Sequence, residues 1–410
     1  MRVWIRFFAG SVIGIVLGLY LPLGGGDVSQ AMQVISGIVL NVGRYAVYPL
    51  VFFGLIIAIH ELRVDRLTGK IFAQAAISIV VATAAMVVVG TLVVLFLSPR
   101  RIPPIYQEAI VPVLPAIPAM IQSVFPRNLF LLFAGDGSFL LPVVTAGILL
   151  GLVMYDEGPQ VSPATDLIDS LARIAYRLNS WITEVVSVGL IAVAAFWIIR
   201  LRSVSDLQLF APLILVVAGV AALFVLVGFP LLVFLLGDRY NPFAWLYGLI
   251  PPAFAAFFSG DSYFALGPLL RVTKENYGIS REVATPVLSL TTLFAKAGSA
   301  MVVATAFITV LRSYTALEIT FGQVMWIMGA SFLLSFLLGS VPGSTVLVGL
   351  SVLAQLHGQG MEEIFLIVLP ALPILTGIAV VADTMTGAVV AFLVAQWERK
   401  RRIVDVLDFI

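Results

Sequence analysis

The chain has 410 residues, 61% of them hydrophobic and only 11% charged, with a formal net charge of +1. Soluble domains are nearer a quarter charged, so this is the composition of a polytopic membrane protein, and the near-neutral charge argues against nucleic acid as a partner. With no cysteine and only two histidines, His60 and His357, disulfides, thiolate metal sites, thiol nucleophiles and a histidine-based metal centre are all excluded.

At roughly 20 residues per crossing, apolar runs long enough to span a bilayer lie at about 5–23, 31–60, 71–98, 129–154, 165–199, 208–236, 284–311 and 364–396. The first lacks a small-residue cleavage signal and reads as a retained helix. Eight spans put both termini on one side. That side carries Arg2, Arg6, the Arg63–Lys70 group, Arg173, Arg177, Arg239, Arg271, Lys274, Arg281 and the run Arg399 to Arg402. The opposite side carries the smaller set of Arg100, Arg101, Arg127, Arg200, Arg202 and Arg312. The positive-inside rule then places both termini in the cytoplasm of a cell-membrane protein. The cluster from Trp397 to Arg402 reads as an interfacial anchor, and both histidines as structural.

Two apolar segments do not read as spans. Residues 241–277 are broken by Pro251-Pro252, by Ser259-Gly260-Asp261-Ser262 and by Gly267-Pro268; residues 322–358 are broken by Gly339-Ser340-Val-Pro342-Gly343-Ser344-Thr345. Arms of about 12–15 residues cross only half the hydrocarbon core, so each segment reads as a re-entrant helical hairpin with a Gly/Ser/Pro tip. Gly339, Pro342 and Gly343 permit the tight second tip. Irregular backbone at membrane depth is tolerated only when enclosed by protein or lining a wet cavity. The tips are therefore expected to meet near mid-membrane, against helices interrupted at about 294–300 and 380–388.

The span after each hairpin carries an ionisable residue in a similar setting. The first motif is Lys296-Ala-Gly-Ser299-Ala-Met-Val-Val-Ala304 and the second is Asp383-Thr-Met-Thr386-Gly-Ala-Val-Val-Ala391. A charged side chain at that depth costs on the order of 2.5–3.5 kcal/mol. Two in matching motifs, each behind a hairpin of opposite orientation, suggest an inverted repeat with a polar site near the midplane.

The chain resembles the dicarboxylate/amino acid:cation symporter family, the glutamate-transporter homologues, over nearly its whole length. The resemblance rests on Arg44 followed by Tyr48-Pro49-Leu-Val-Phe-Phe, on Phe125-Pro126-Arg127-Asn128-Leu129, on Leu269-Leu270-Arg271 to Gly278-Ile279-Ser280, on the tip Gly339 to Ser344, and on Thr386-Gly387. It implies an all-α elevator fold of eight transmembrane helices and two hairpins, assembled as a homotrimer. Residues 1–70 (helices 1 and 2) and 128–206 (helices 4 and 5) would form the scaffold. Residues 71–127 (helix 3 and an external loop) and 207–410 (helix 6, hairpin 1, helix 7, hairpin 2, helix 8 and the tail) would form the transport domain.

The chain departs from the family at the site. The seventh-span Asn-Met-Asp-Gly-Thr is replaced by Ala295-Lys296-Ala297-Gly298-Ser299, and Pro373 and Thr376 stand where substrate-gripping Asp and Arg are expected. Sodium binding is accordingly not carried over, and a proton is favoured over sodium as coupling ion. Lys296 is expected to replace a bound cation or bind an anionic solute, or to pair with Asp261 or Asp383. Asp383 is read as a proton or cation carrier, or as the partner of Lys296. Asp261 caps a half-helix or touches solute. The substrate-facing candidates are Ser259, Asp261 and Ser262 on the first tip, Ser344 and Thr345 on the second, and Thr376, Thr384 and Thr386 on the last span; Ser299 accompanies the two charges. Arg44 is assigned a structural place near the outer surface or a subunit contact. The sequence contains no nucleophile–base pair, metal cluster or phosphate loop, so catalytic residues and cofactors are not expected. The leading reading is a secondary transporter of a small organic solute, of amino acid or dicarboxylate class by resemblance. The alternative is a sensory or non-transporting protein that keeps the fold.

Overall fold

A computed structural model describes residues 2–21, 26–103, 122, 124–126, 128–134, 139–204, 207–314, 319–358 and 363–410. Arg127 and most of the expected external loop lie outside these. Every named element among the described residues is helical. We number them α1 Val3–Tyr20, α2 Gly26–Tyr45, α3 Val47–Val64, α4 Thr68–Leu97, α5 Leu141–Glu157, α6 Ser162–Arg202, α7 Ala211–Ala222 and α8 Phe229–Leu236. They continue as α9 Pro242–Gly248, α10 Ile250–Ser259, α11 Ser262–Glu275, α12 Arg281–Phe294, α13 Ala297–Tyr314, α14 Phe321–Ser335, α15 Thr345–His357 and α16 Leu372–Trp397.

Among the described residues, seven helical stretches are long and apolar enough to cross a membrane. α2 and α3 join into one 37-residue stretch, Val28–Val64. α7 and α8 are linked by a π-helical segment, Leu223–Gly228. The run expected at 129–154 is shorter than its hydropathy suggests, because a full helix begins only at Leu141, ahead of Pro142 in the first turn. With 17 residues α5 is about 26 Å long. α6, at 41 residues, far exceeds the hydrocarbon thickness, and its charged early turns project beyond any apolar slab.

Both expected hairpins are present as helices folded back on each other. The first runs through α9 and α10, bent by 51° where Pro251-Pro252 open α10. It turns at Gly260, whose left-handed backbone (φ 61°) suits glycine, and returns as α11. Asp261 caps α11 by accepting the Tyr263 N–H at 2.8 Å. The second runs down α14, which starts on a Thr320/Gln323 capping box, turns through Leu338–Ser340 and Gly343 (φ 79°), and returns as α15. The tips meet: the buried Tyr263 hydroxyl donates to Gly339 O at 2.7 Å. The Tyr263 hydroxyl oxygen in turn accepts the Leu140 N–H at 3.1 Å, tying both tips to the start of α5.

The helix after the first hairpin is interrupted as expected, with α12 ending at Phe294 and α13 starting at Ala297. The second expected interruption is absent: α16 runs unbroken through 380–388 from Leu372 to Trp397. Asp383 needs no break of its own, because its hydrogen bonds come from the broken end of α13. The two similar motifs therefore occupy unlike backbones, one at a helix start and one in mid-helix. They also pack on each other. A Cβ on Gly298 would lie 2.4 Å from Ala379 O and 2.5 Å from Ala382 Cβ, so only glycine permits this crossing.

The C-terminal tail is fixed by more than interfacial anchoring. Lys400 Nζ lies 2.6 Å from Asp65 and 3.1 Å from Glu282, and these hydrogen bonds raise its pKa above the usual lysine value. Arg401 lies over the Tyr240 and Phe392 rings at 4.4 Å. Lys400 O accepts the Ser280 N–H and Arg402 N–H donates to Gly278 O, so the tail holds the loop between α11 and α12.

The Gly298 contact predicts that Gly298→Ala lowers stability by about 1–3 kcal/mol, because the new methyl meets backbone rather than a flexible side chain. A melting temperature in detergent equal to wild type would refute this.

Candidate functional site

The sequence singled out two charges; the structure surrounds them with two distinct polar environments. The inner one is closed. Lys296 is 1% exposed, and its ammonium donates to Ser262 Oγ at 2.6 Å, joining the break after α12 to the first turn of α11. Asp383, also buried, accepts the Ser299 N–H at 3.0 Å and the Ser299 hydroxyl at 2.6 Å. Ser299 Oγ also lies 3.0 Å from Thr345 Oγ1, bringing the start of α15 into the network. Among the described residues no carboxylate stands within 4.0 Å of Lys296, so the expected salt bridge to Asp261 or Asp383 is not formed. Instead the charges share a polar pocket. The space bordered by Ser262, Lys296, Asp383 and Thr384 is only about 10 Å³, room for no more than about one water.

Asp383 therefore sits at the N-terminus of α13, where backbone N–H groups and the helix dipole favour an anion. Lys296 stands in the break between α12 and α13, and its ammonium is answered by the Ser262 hydroxyl of α11.

The outer environment is open. The hairpin tips, α2, α6 and the start of α16 enclose a cavity of about 260 Å³. Ser259, Gly260, Gly343, Ser344, Pro373 and Thr376 line it from the hairpins and α16; Ser36, Leu40, Trp197 and Arg200 line it from α2 and α6.

Of the candidates, Ser259, Ser344 and Thr376 border the open cavity. The Ser259 hydroxyl is engaged locally, donating to Ala255 O at 2.6 Å and accepting the Asp261 N–H at 3.1 Å. Ser262, Lys296, Ser299, Thr345 and Asp383 form the closed cluster. Thr384 borders it, but its hydroxyl donates to Val380 O at 2.7 Å within α16. Thr386 belongs to neither environment; it donates to Ala382 O and faces Met86 of α4.

Asp261 and Arg44 are joined in a way the sequence reading did not anticipate. The Arg44 guanidinium forms an ion pair with Asp261 at the first tip. It also reaches the second tip, since a Cβ on Gly343 would lie 3.8 Å from Arg44 Nη2. The Asp261 side chain is 2% exposed and that of Arg44 30%. The pair joins residues 217 apart in sequence, and no local pattern signals it. Further ion pairs tie the same elements at the other end. Arg281 of α12 pairs with Glu61 of α3 and Asp169 of α6, while Arg271 of α11 donates to Ser180 O at 2.8 Å and pairs with Glu184, both on α6.

A membrane-length helical frame, two opposed hairpins with touching tips, and a polar core behind them define a membrane transporter fold. The chain belongs to the sodium:dicarboxylate symporter family, whose model matches residues 3–397. It is 24% identical over 321 residues to neutral amino acid transporter B(0) of Bos taurus, covering 68% of this chain and 59% of that protein. It is 26% identical to the Oryctolagus cuniculus B(0) transporter over 57% of this chain and 42% of that protein. Against Homo sapiens neutral amino acid transporter A it is 26% identical over 52% of this chain and 40% of that protein. The chain thus spans less than two thirds of the length of these relatives, which are transporters rather than enzymes.

The ion pair at the tip predicts an asymmetry. Arg44→Gln leaves a buried carboxylate without its cation and should cost toward the lower end of the about 3–5 kcal/mol typical of breaking a buried pair. Asp261→Asn keeps the cap on Tyr263 and leaves an arginine that reaches water, so it should cost less. Thermal unfolding in detergent that ranked the two variants the other way would contradict this.

Proposed function

We propose that the protein is a secondary transporter of a small organic solute in which Lys296 takes the place of a bound metal cation. The observation that carries this reading is the buried ammonium, held at 2.6 Å by Ser262 in a space of about 10 Å³ beside Asp383. A sodium site needs several oxygen ligands with an open position between them. Here the position is filled by an internal cation, and a second cation would be repelled strongly in so poorly solvated a place. Lys296 donates up to three hydrogen bonds and so links the broken helix to the hairpin continuously, where an ion would do so only when bound. Coupling would then fall to a proton or to solute exchange rather than to sodium.

The solute site in this reading is the open cavity between the hairpin tips, with Ser344 and Thr376 as its available hydroxyls. The hairpins, α4 and the helices from α7 onward would move as one body against α1–α3, α5 and α6, in a homotrimer at the cell membrane with both termini cytoplasmic. Support for the fixed frame comes from apolar side chains left exposed on one chain: Ile35 and Ile38 of α2, Leu149 and Val153 of α5, and Trp181 and Val185 of α6. These would face lipid or neighbouring subunits.

Two measurements test this. Uptake by proteoliposomes should persist when sodium is replaced by choline at constant pH, and Lys296→Met should reduce it at least tenfold while the variant still purifies folded. Collapse of wild-type uptake in choline together with normal transport by Lys296→Met would defeat the proposal. Mass measurement in mild detergent should give three chains per particle; monomers under every mild condition would remove the trimeric frame.

A further inference from the structure

We infer that the hairpin-tip cavity selects a small organic monoanion that lacks an ammonium group, and that Arg200 is its charge-selecting residue. This rests on reading that cavity as the solute site. Arg200 lies in the last turn of α6 and lines the cavity. Among the described residues its guanidinium makes no hydrogen bond or ion pair, unlike Arg202 two residues on, whose guanidinium donates to Gly18 O at 2.8 Å and Leu21 O at 2.9 Å. An exposed, unpartnered cation at the mouth of a pocket focuses field into it and draws anions.

Two further observations point the same way. Ser344, the N-cap of α15, is exposed to the cavity and makes no capping hydrogen bond with its hydroxyl, so both that hydroxyl and the positive end of a 13-residue helix face the space. Among the described residues no acidic side chain lines the cavity. The nearest tip carboxylate, Asp261, is buried and held by Arg44 and the Tyr263 N–H. A zwitterionic amino acid would therefore find a charged partner for its carboxylate and none for its ammonium. Among the described residues Arg200 is the one cationic side chain lining the cavity, so the second carboxylate of a dicarboxylate would meet no second cation. The remaining walls are apolar and aromatic, with Trp197 and Phe258 among them, and suit a hydrocarbon or aryl tail.

The test is equilibrium binding to the purified full chain in detergent, using radiolabelled 3-phenyllactate and phenylalanine, which differ by hydroxyl against ammonium, with succinate as a third probe. 3-Phenyllactate should bind at least tenfold more tightly than either. Arg200→Gln should weaken it about tenfold, and Arg200→Lys should restore most of the loss. In uptake, Arg200→Gln should raise KM with little change in kcat. Phenylalanine or succinate binding as tightly as 3-phenyllactate, no binding of any probe, or unchanged affinity in Arg200→Gln would each overturn the inference. Binding of 3-phenyllactate that is Arg200-dependent but never accompanied by uptake would defeat the transport reading and leave the selectivity standing.

Discussion

The interaction on which the rest depends is the compensation of two charges buried at membrane depth. Lys296 and Asp383 share space for no more than about one water. Lys296 is held by the Ser262 hydroxyl, and Asp383 is set against the N-terminus of α13 opened by the break at Ala295-Lys296. That break fixes much else. It brings Ser299 to Asp383, draws Thr345 at the start of α15 into the same network, and directs Lys296 to Ser262 on α11. Both hairpins are thereby attached to the same few residues. The close crossing at Gly298 follows, since Asp383 reaches the α13 N–H groups only if α13 and α16 approach nearly backbone to backbone.

The charges outside this cluster divide by place. Arg281, Glu61 and Asp169 join α12 to α3 and α6, and Arg271 joins α11 to α6, at the end of the molecule where the tail also packs. At the tips there is Arg44 with Asp261. All of these pairs connect the hairpin body to the frame against which, in the proposed function, it moves. The partly exposed pairs would exchange protein contact for water at little net cost, as surface ion pairs generally do. The tip pair differs, because Asp261 is buried on its own side of the contact. Separation frees a cation that water accepts and strands an anion that water does not reach.

Much of the fold was legible in the sequence because apolar length is a direct physical signal: a run of about 20 residues has few soluble uses. The hairpins were legible for the complementary reason. Gly260, Pro342 and Gly343 interrupt runs that otherwise continue, and such interruptions have few tolerated settings in a membrane. Lys296 and Asp383 stood out because charges there are costly. Their partners did not. Ser262 is one hydroxyl among many, and Arg44 lies 217 residues from Asp261. Nor did the motif likeness translate into like backbone: Thr386 matches Ser299 in sequence, yet one turns toward α4 and the other toward the charges. A side chain's direction depends on where the helix breaks, and only the first of the two similar motifs stands at a break. Arg200 was read only as one of the arginines on the side opposite the termini, since its place beside the cavity is set by how α6 lies against the hairpin tips.

The separation of the closed cluster from the open cavity bears on what each could contribute. A cation that must arrive and leave makes a network depend on its concentration, with occupancy adding stability only as far as binding allows. A lysine covalently present gives that stability at all times, so the link from α12 to hairpin 1 does not vary with the medium. In the proposed function, what varies must then lie elsewhere: at the tips, where Ser344 and Thr376 meet the cavity, or at the Arg44–Asp261 contact beside it. Both are close to the place a solute would occupy, and neither lies within the sealed pocket. In the proposed function, proteins sharing this fold could thus differ in coupling without differing in architecture, because Lys296 stands in the sealed pocket while Ser344 and Thr376 border the open cavity.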